Sequence, residues 1–179
     1  FYLKTLNVRE TGSFFICHSR NTFVPPKYET LGHKMIYIVV RKNDKDYLVC
    51  NIHGNSQPAH KKDSPFRLEQ FKIVRDFLKT RHEFVVLMGD FNALPDTQSV
   101  KMFEAMGLKN LIHDYSVTTT RGTHMRVLFP EYEQGPYGFQ EFADYTFVSP
   151  EITVTSFDVP DVPISDHLPM MLTIDTQGI

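Results

Sequence analysis

The sequence predicts an α+β layered sandwich built as one domain. Three observations carry that expectation: short runs dense in β-branched and aromatic residues, two amphipathic helices between them, and no linker, repeat or low-complexity stretch dividing the chain. The strand runs are residues 13–17, 34–41, 46–53, 84–88, 142–148, 152–159 and 170–174. Val85-Val86-Leu87-Met88 is apolar without alternation, the pattern of a central strand covered on both faces, whereas 46–53 partly alternates. The first helix opens with Ser64 as N-cap and Pro65 at its first position, and sets Leu68, Phe71, Val74, Phe77 and Leu78 on one stripe. The second runs from about Thr97 to Met106, buries Val100, Phe103 and Met106, and stops at Gly107. Residues 121–140, punctuated by Gly122, Pro130, Gly135, Pro136 and Gly138, are expected as a long irregular loop, which in a compact domain more often carries function than not.

Composition narrows the function classes. Among 179 residues, 19 Lys and Arg stand against 21 Asp and Glu, a net charge of −2, which argues against a broad surface tracking nucleic-acid phosphates. The apolar fraction of 41%, with 15 Phe and 8 Tyr, supplies a core that needs neither a disulfide nor a structural metal. Cys17 and Cys50 are too few for a four-cysteine zinc site and are expected as buried thiols rather than a redox pair. No apolar run approaches the roughly 18 residues of a membrane span. The chain opens Phe1-Tyr2-Leu3-Lys4 without an initiating Met, so it is expected to begin inside a longer gene product.

Four short elements carry chemistry, each at a strand terminus or in its loop. Gly89-Asp90-Phe91-Asn92 follows the buried run 84–88, so a carboxylate and an amide leave a rigid strand end facing the same way, suited to holding a water or a cation; an Asx turn capping the backbone is the competing reading. Pro163-Ile164-Ser165-Asp166-His167-Leu168-Pro169 offers a hard oxygen ligand beside an imidazole, or else a plain surface turn. Asp144 sits in an apolar strand, where a carboxylate is costly without a partner; a histidine would be one. Asn51-Ile52-His53-Gly54 again places two polar side chains on one facing at a strand end. The remaining histidines, His18, His33, His60, His82 and His113, read as surface or packing residues, and Lys61-Lys62-Asp63 as a solvated loop, with a phosphate-facing role left open by its place beside His53.

These pieces, in this order, resemble the endonuclease/exonuclease/phosphatase superfamily, over roughly residues 12–174. The resemblance implies a four-layer sandwich, two mixed sheets packed face to face with helices outside, and hydrolysis of a phosphoester by water with a divalent cation, magnesium first and manganese as its substitute. Carried over by position, Asp90 orients and deprotonates the water and Asn92 holds it or a phosphate oxygen. Asp166 is the metal ligand, and His167, oriented by Asp144, contacts the phosphoryl oxygens. His53 contacts the phosphate or assists the leaving oxygen, with Asn51 and Arg121 binding substrate. Arg67 and Gln70 read as packing and loop-bracing. The family begins with a strand ending in Asn and another ending in a metal-binding Glu; Glu10 and Glu29 are poor substitutes. Residues 1–179 are therefore expected as one N-terminally incomplete domain, the C-terminal portion of the catalytic unit, lacking its first strands and helix, with a preceding segment completing the sheet.

The expected partner is a phosphorylated substrate, a small molecule or nucleic acid, which Arg121, His124 and Arg126 of the 121–140 loop would help to read. Two other readings stand beside hydrolysis: a truncated or degenerate relative that binds a phosphorylated ligand without turnover, and an unrelated hydrolase using Ser165, His167 and an Asp. The latter is disfavoured because Ser165 and His167 are too close in one loop and no Gly-x-Ser-x-Gly elbow occurs.

Overall fold

The computed structural model describes residues 2–17, 32–56 and 60–177; His18 and Glu29 lie outside them. The strands β1 (Asn7–Phe15), β2 (Lys34–Lys42), β3 (Lys45–His53), β4 (Phe84–Asp90), β5 (Lys109–Asn110) and β6 (Asp144–Val148) form one sheet in the order β1-β2-β3-β4-β6-β5. A second, two-stranded antiparallel sheet pairs β7 (Thr153–Asp158) with β8 (Met171–Asp175). The expected two mixed sheets are thus one mixed sheet and one antiparallel pair.

The β3–β4 pairing is parallel, and its crossover is helix α1 (Pro65–Leu78). Ser64 caps that helix as expected, its hydroxyl accepting from the Arg67 amide at 3.1 Å. Phe71, Val74 and Leu78 are buried, while Leu68 and Phe77 of the expected stripe are only half-buried. The first turn instead buries Arg67 and Gln70. Arg67 donates to the Lys62 and Asn55 carbonyls, and the Gln70 side-chain oxygen accepts from the Asn55 amide at 2.9 Å, so both brace the β3–α1 loop. Helix α2 (Gln98–Glu104) is capped by Thr97 and buries Val100 and Phe103.

These helices cover one face of the large sheet over an aromatic centre. Phe91 is fully buried, its ring 5.2 Å from Phe71, 5.7 Å from Phe103, 5.2 Å from Tyr145 and 5.5 Å from Phe147. Across the opposite face β8 runs slantwise, from Met170, which accepts from the Thr146 hydroxyl at 3.5 Å, to Thr176, whose carbonyl accepts from Asn43 at 3.2 Å. Cys17 and Cys50 are buried and form no disulfide; burial pushes the Cys50 thiol up to about 12. Among the described residues no helix is long and apolar enough to cross a membrane.

Two expectations need correction. Strand β1 begins at Asn7 rather than Ser13, its first half polar because, among the described residues, it is an exposed edge paired only with β2. Residues 121–140 are not wholly irregular: α4 (His124–Leu128) and α5 (Glu131–Gln134) lie within them, and α3 (Leu111–Asp114) follows β5. Hydrophobic periodicity could not reveal α4 because it buries no side chain.

Truncating Phe91→Ala should cost about 3–5 kcal/mol, because it empties the centre of five packed rings. Urea unfolding measures this; a loss below about 1 kcal/mol would show that Phe91 is not the core's keystone.

Candidate functional site

Strand register assembles the site. His53 pairs with Asp90 in the parallel β3–β4 ladder, and Asp90 pairs with Asp144 in the antiparallel β4–β6 ladder, so three polar residues stand abreast at one end of the sheet. Directly paired residues face the same way, here away from the aromatic core. Gly89 permits the approach: its φ is +131°, and a Cβ there would lie 2.1 Å from the Ile52 carbonyl oxygen.

Asp90 is pinned by the turn that follows it. Asn92 adopts a left-handed φ of +48°; its amide donates to Asp90 Oδ1 at 2.8 Å, and its side-chain nitrogen to Asp90 Oδ2 at 3.0 Å and to the Gly54 carbonyl at 3.1 Å. The Asx turn weighed against a functional Asp90 is therefore present, and it is what fixes the carboxylate's orientation.

Asp144 is buried and takes the partner that its position demands. Its Oδ2 accepts from His167 Nδ1 at 2.8 Å, and its backbone amide donates to the buried Thr120 hydroxyl at 3.2 Å. The 163–169 loop is stitched to residues 120–122 by Leu168 N–H to the Thr120 carbonyl, 2.9 Å, and Gly122 N–H to the Asp166 carbonyl, 3.0 Å. Arg121 crosses that seam, donating from Nη2 to Asp166 Oδ2 at 2.8 Å and from Nη1 to His167 Nε2. His53 Nε2 lies 3.7 Å from Asp90 Oδ2, and His167 Nε2 lies 3.9 Å from Asp90 Oδ2 and 3.7 Å from Asp166 Oδ2.

Seven of the expected site residues thus meet: His53, Asp90, Asn92, Arg121, Asp144, Asp166 and His167. Asn51 stands one pleat behind His53 on the same face, exposed and in register with Ile36 and Met88. Within the 121–140 segment only Arg121 joins the cluster. Arg126 lies 4.5 Å from the Phe139 ring and pairs with Glu133 and Glu141, so it props the loop. Ser165 accepts the His167 backbone N–H at 3.2 Å while the imidazole turns to Asp144, so no serine–histidine nucleophile pair is assembled.

Three contributors escape sequence reasoning. Lys61, read as solvated, is 8% exposed with a left-handed backbone, and its ammonium donates to the Phe142 carbonyl at 3.1 Å. Thr120 clamps Asp144. His33 supports His53, its Nδ1 donating to the His53 carbonyl at 2.9 Å with the rings edge-to-face at 5.5 Å. Thr120 and His33 carry no sequence signal and Lys61 only its nearness to His53, since each is defined by a partner far along the chain. Asp63, the third residue of the supposedly solvated run, instead caps α2 by accepting from the Gln98 and Ser99 amides.

Charges are held out of balance here. Hydrogen bonding to Asp144 raises the His167 pKa above its ordinary value, against burial and Arg121. Burial, then the Asp144 charge, pushes the Asp90 carboxyl up. Burial and Arg121 push Lys61 down to about 8, with Asp90, Asp144 and Asp166 opposing. One ligand atom each from Asp90, Asp144 and His167 lies within 4.8 Å of the others. A half-buried carboxyl beside a second carboxylate is what a divalent cation would relieve, and the oxygens of Asp90 and Asp144 with the His167 nitrogen make a donor set that such an ion fits. A cavity of about 500 Å³ opens beside the cluster, sharing Asn92 and Arg121 with it, lined also by Lys61 and Glu131 and walled by Tyr137, Phe139 and Gln140.

Residues 6–167 match the family model described as the endonuclease/exonuclease/phosphatase family. Solved structures share the fold. A mannosyl-6-phosphatase of Bacteroides thetaiotaomicron has a TM-score of 0.70 at 18% identity, covering 95% of this chain and 67% of its own. D. rerio TDP2 complexed with a single-strand DNA product has a TM-score of 0.66 at 14% identity, covering 96% and 69%. The human Nocturnin catalytic domain with bound sulfate has a TM-score of 0.56 at 15% identity, covering 94% and 60%. The chain therefore spans about two-thirds or less of the length of these structures. No curated protein sequence matches it.

Because Asp144 raises the His167 pKa, their bond contributes stability that is complete below the unfolded histidine pKa of about 6.5 and is lost as pH rises through the higher folded value. In metal-free buffer, Asp144→Asn should lower the His167 midpoint seen by proton NMR. The stability gap between wild type and variant should be widest below about pH 6.5 and shrink above the folded midpoint. A wild-type midpoint at or below 6.5 would contradict this assignment.

Proposed function

The chain belongs to the endonuclease/exonuclease/phosphatase family, and from that premise we propose that it is a divalent-metal-dependent hydrolase that cleaves a phosphoester bond with activated water. The observation that carries the reading is the meeting of Asp90, Asp144, Asp166, His53 and His167 at one sheet end, with His167 held by Asp144 at 2.8 Å. Asp144 is matched by His167 and Asp166 by Arg121, which leaves the half-buried Asp90 carboxylate to repel a phosphate unless a cation stands beside it. Asp166 would hold magnesium, or manganese in its place, beside Asp90. The ion supplies charge neutralisation at the phosphoryl oxygens and acidifies water.

The chain's own groups divide the remaining work. Asp90, fixed by two hydrogen bonds from Asn92, orients the attacking water and accepts its proton; burial, which raises its pKa, makes it a better base. Asn92 keeps that carboxylate from rotating. His167 presents Nε2 to the phosphoryl oxygens while Asp144 fixes its tautomer and stabilises its charged form. His53, 3.7 Å from Asp90, faces the phosphate or the leaving oxygen. Arg121 and Asn51 bind substrate, Arg121 by turning one N–H from His167 to a phosphate oxygen.

The same reading takes residues 1–179 as one domain, the C-terminal part of a four-layer catalytic unit whose preceding segment adds strands and contributes an Asn and a metal-binding Glu. Two observations support it. The related structures extend about a third beyond the part they share with this chain. The face of the large sheet that bears the site also loses its cover in steps: Thr146 is buried under Met170, Met88 half-buried, Asn51 exposed and Ile36 57% exposed, all in one register row.

In the complete gene product, Asp90→Ala and His167→Ala should each abolish magnesium-dependent cleavage of a chromogenic phosphoester, with unchanged far-ultraviolet circular dichroism, and EDTA should do the same to the wild type. Wild-type turnover in both variants would overturn the site assignment; full turnover in EDTA would overturn the metal.

A further inference from the structure

We propose that Lys61 is a phosphate-binding residue, which with Arg121 holds the terminal phosphate of a small phosphomonoester whose organic part occupies the cavity walled by Tyr137 and Phe139. This deepens the hydrolase reading and rests on it for the identity of the reacting group.

The argument starts from an ammonium in an unusual place. Lys61 is 8% exposed, and its Nζ makes one hydrogen bond among the described residues, to the Phe142 carbonyl at 3.1 Å, although it has three donors. A buried lysine is ordinarily paired with a carboxylate, because an uncompensated charge is costly away from water. Lys61 makes no ion pair within 4.0 Å among the described residues. Asp90, Asp144 and Asp166 act on it only at longer range, and Arg121 repels it. Arg121 lines the same cavity but is already matched by Asp166 at 2.8 Å, so the donors that an anion would complete are those of Lys61, with Arg121 beside it to share the charge.

The position is built rather than accidental. The left-handed backbone at Lys61, φ +49°, and the Leu94 amide donating to its carbonyl at 2.9 Å fix where the side chain starts. The buried Arg67, donating to the next carbonyl at Lys62, fixes the chain beyond it. Lys61 therefore lines one cavity with Asn92 and Arg121, next to the groups that would cleave a phosphoester. A terminal phosphate, with two charges and three free oxygens, can engage Lys61, Arg121 and the catalytic cluster at once, whereas an internal diester has one charge and two free oxygens to share. The cavity, about 500 Å³ with an aromatic wall, matches the organic part of a small ligand rather than a polymer track. Phe139 is held under Arg126 at 4.5 Å, and Tyr137 stands edge-on to His60 at 5.7 Å, so the wall exists before a ligand arrives.

Phenylphosphonate tests this, being a dianion with an aromatic group and no bond for water to cleave. Its binding is measured by calorimetry in magnesium buffer. Lys61→Gln should weaken it about tenfold to a hundredfold, the range of one charge-assisted hydrogen bond. Lys61→Arg should stay within about threefold of wild type, and Lys62→Gln, at the exposed neighbour, should leave binding unchanged. The monoethyl ester of phenylphosphonate, with one charge, should bind the wild type more weakly. A folded Lys61→Gln with wild-type affinity, or a wild type that binds no phenylphosphonate, overturns the proposal; equal binding of the ester overturns its monoester part. If Lys61→Gln does not fold, the Lys61 Hε resonances of the wild type decide, since they must shift on ligand addition. Binding through Lys61 without any turnover would remove the hydrolase reading and leave this one standing, so the two fail separately.

Discussion

A carboxylate at the end of a buried strand must find a proton donor, and much of this molecule's working end follows from how Asp144 finds His167. The 2.8 Å bond joins the last strand of the large sheet to a loop that begins far along the chain, and backbone bonds from Thr120 and Gly122 sew that loop down on either side of it. Without that partner, Asp144 would be an unpaired charge in an apolar strand, the kind of group that folded proteins exclude or neutralise. With it, the imidazole is held in one tautomer with Nε2 facing Asp90 and Asp166. The position of Asp166, the reach of Arg121 and the opening of the cavity are all consequences of where that loop is fastened.

The arrangement is electrostatically unfinished by design of its chemistry. Asp90 is raised by burial and by Asp144, and Lys61 is lowered by burial and by Arg121, so these two groups stay shifted even though Asp144 pairs with His167 and Asp166 with Arg121. Elsewhere the molecule does the opposite: Arg81 is neutralised by Glu10 and Glu83 at the far end of the sheet, which also removes Glu10 from any part in the site. Shifted groups gathered where three strand ends converge are the pattern that functional sites show. The same fold carries a sugar phosphatase and a protein bound to a DNA product, so fold alone does not choose between ligands, and the local cations and the cavity have to.

How much of this could be read from residues alone depended on the range of the interaction. Buried strands and the two main helices were legible, because alternation, apolar runs, Ser64 and Thr97 act within a few residues of what they specify. Helix α4 was not, having no buried face to impose a period. Asp90, Asn92, Asp144 and the Asp166–His167 pair announced themselves as polar groups at strand ends, where burial would be costly without a purpose. Lys61 gave the opposite impression, since a lysine beside another lysine and an aspartate normally points to water; only the turn at φ +49° and the packing of Arg67 direct it inward.

The sequence by itself determined which polar groups the chain would place at the ends of its strands, since side-chain alternation and strand length are local properties. Tertiary structure alone decided that β3 lies parallel to β4 and β4 antiparallel to β6, so that His53, Asp90 and Asp144 fall abreast instead of at opposite ends. It alone chose which histidine Asp144 would hold, and it turned Lys61 from solvent to the cavity floor. Those outcomes depend on register and on contacts between segments far apart in the chain, where the free energy belongs to pairs of residues and no single stretch of sequence contains it.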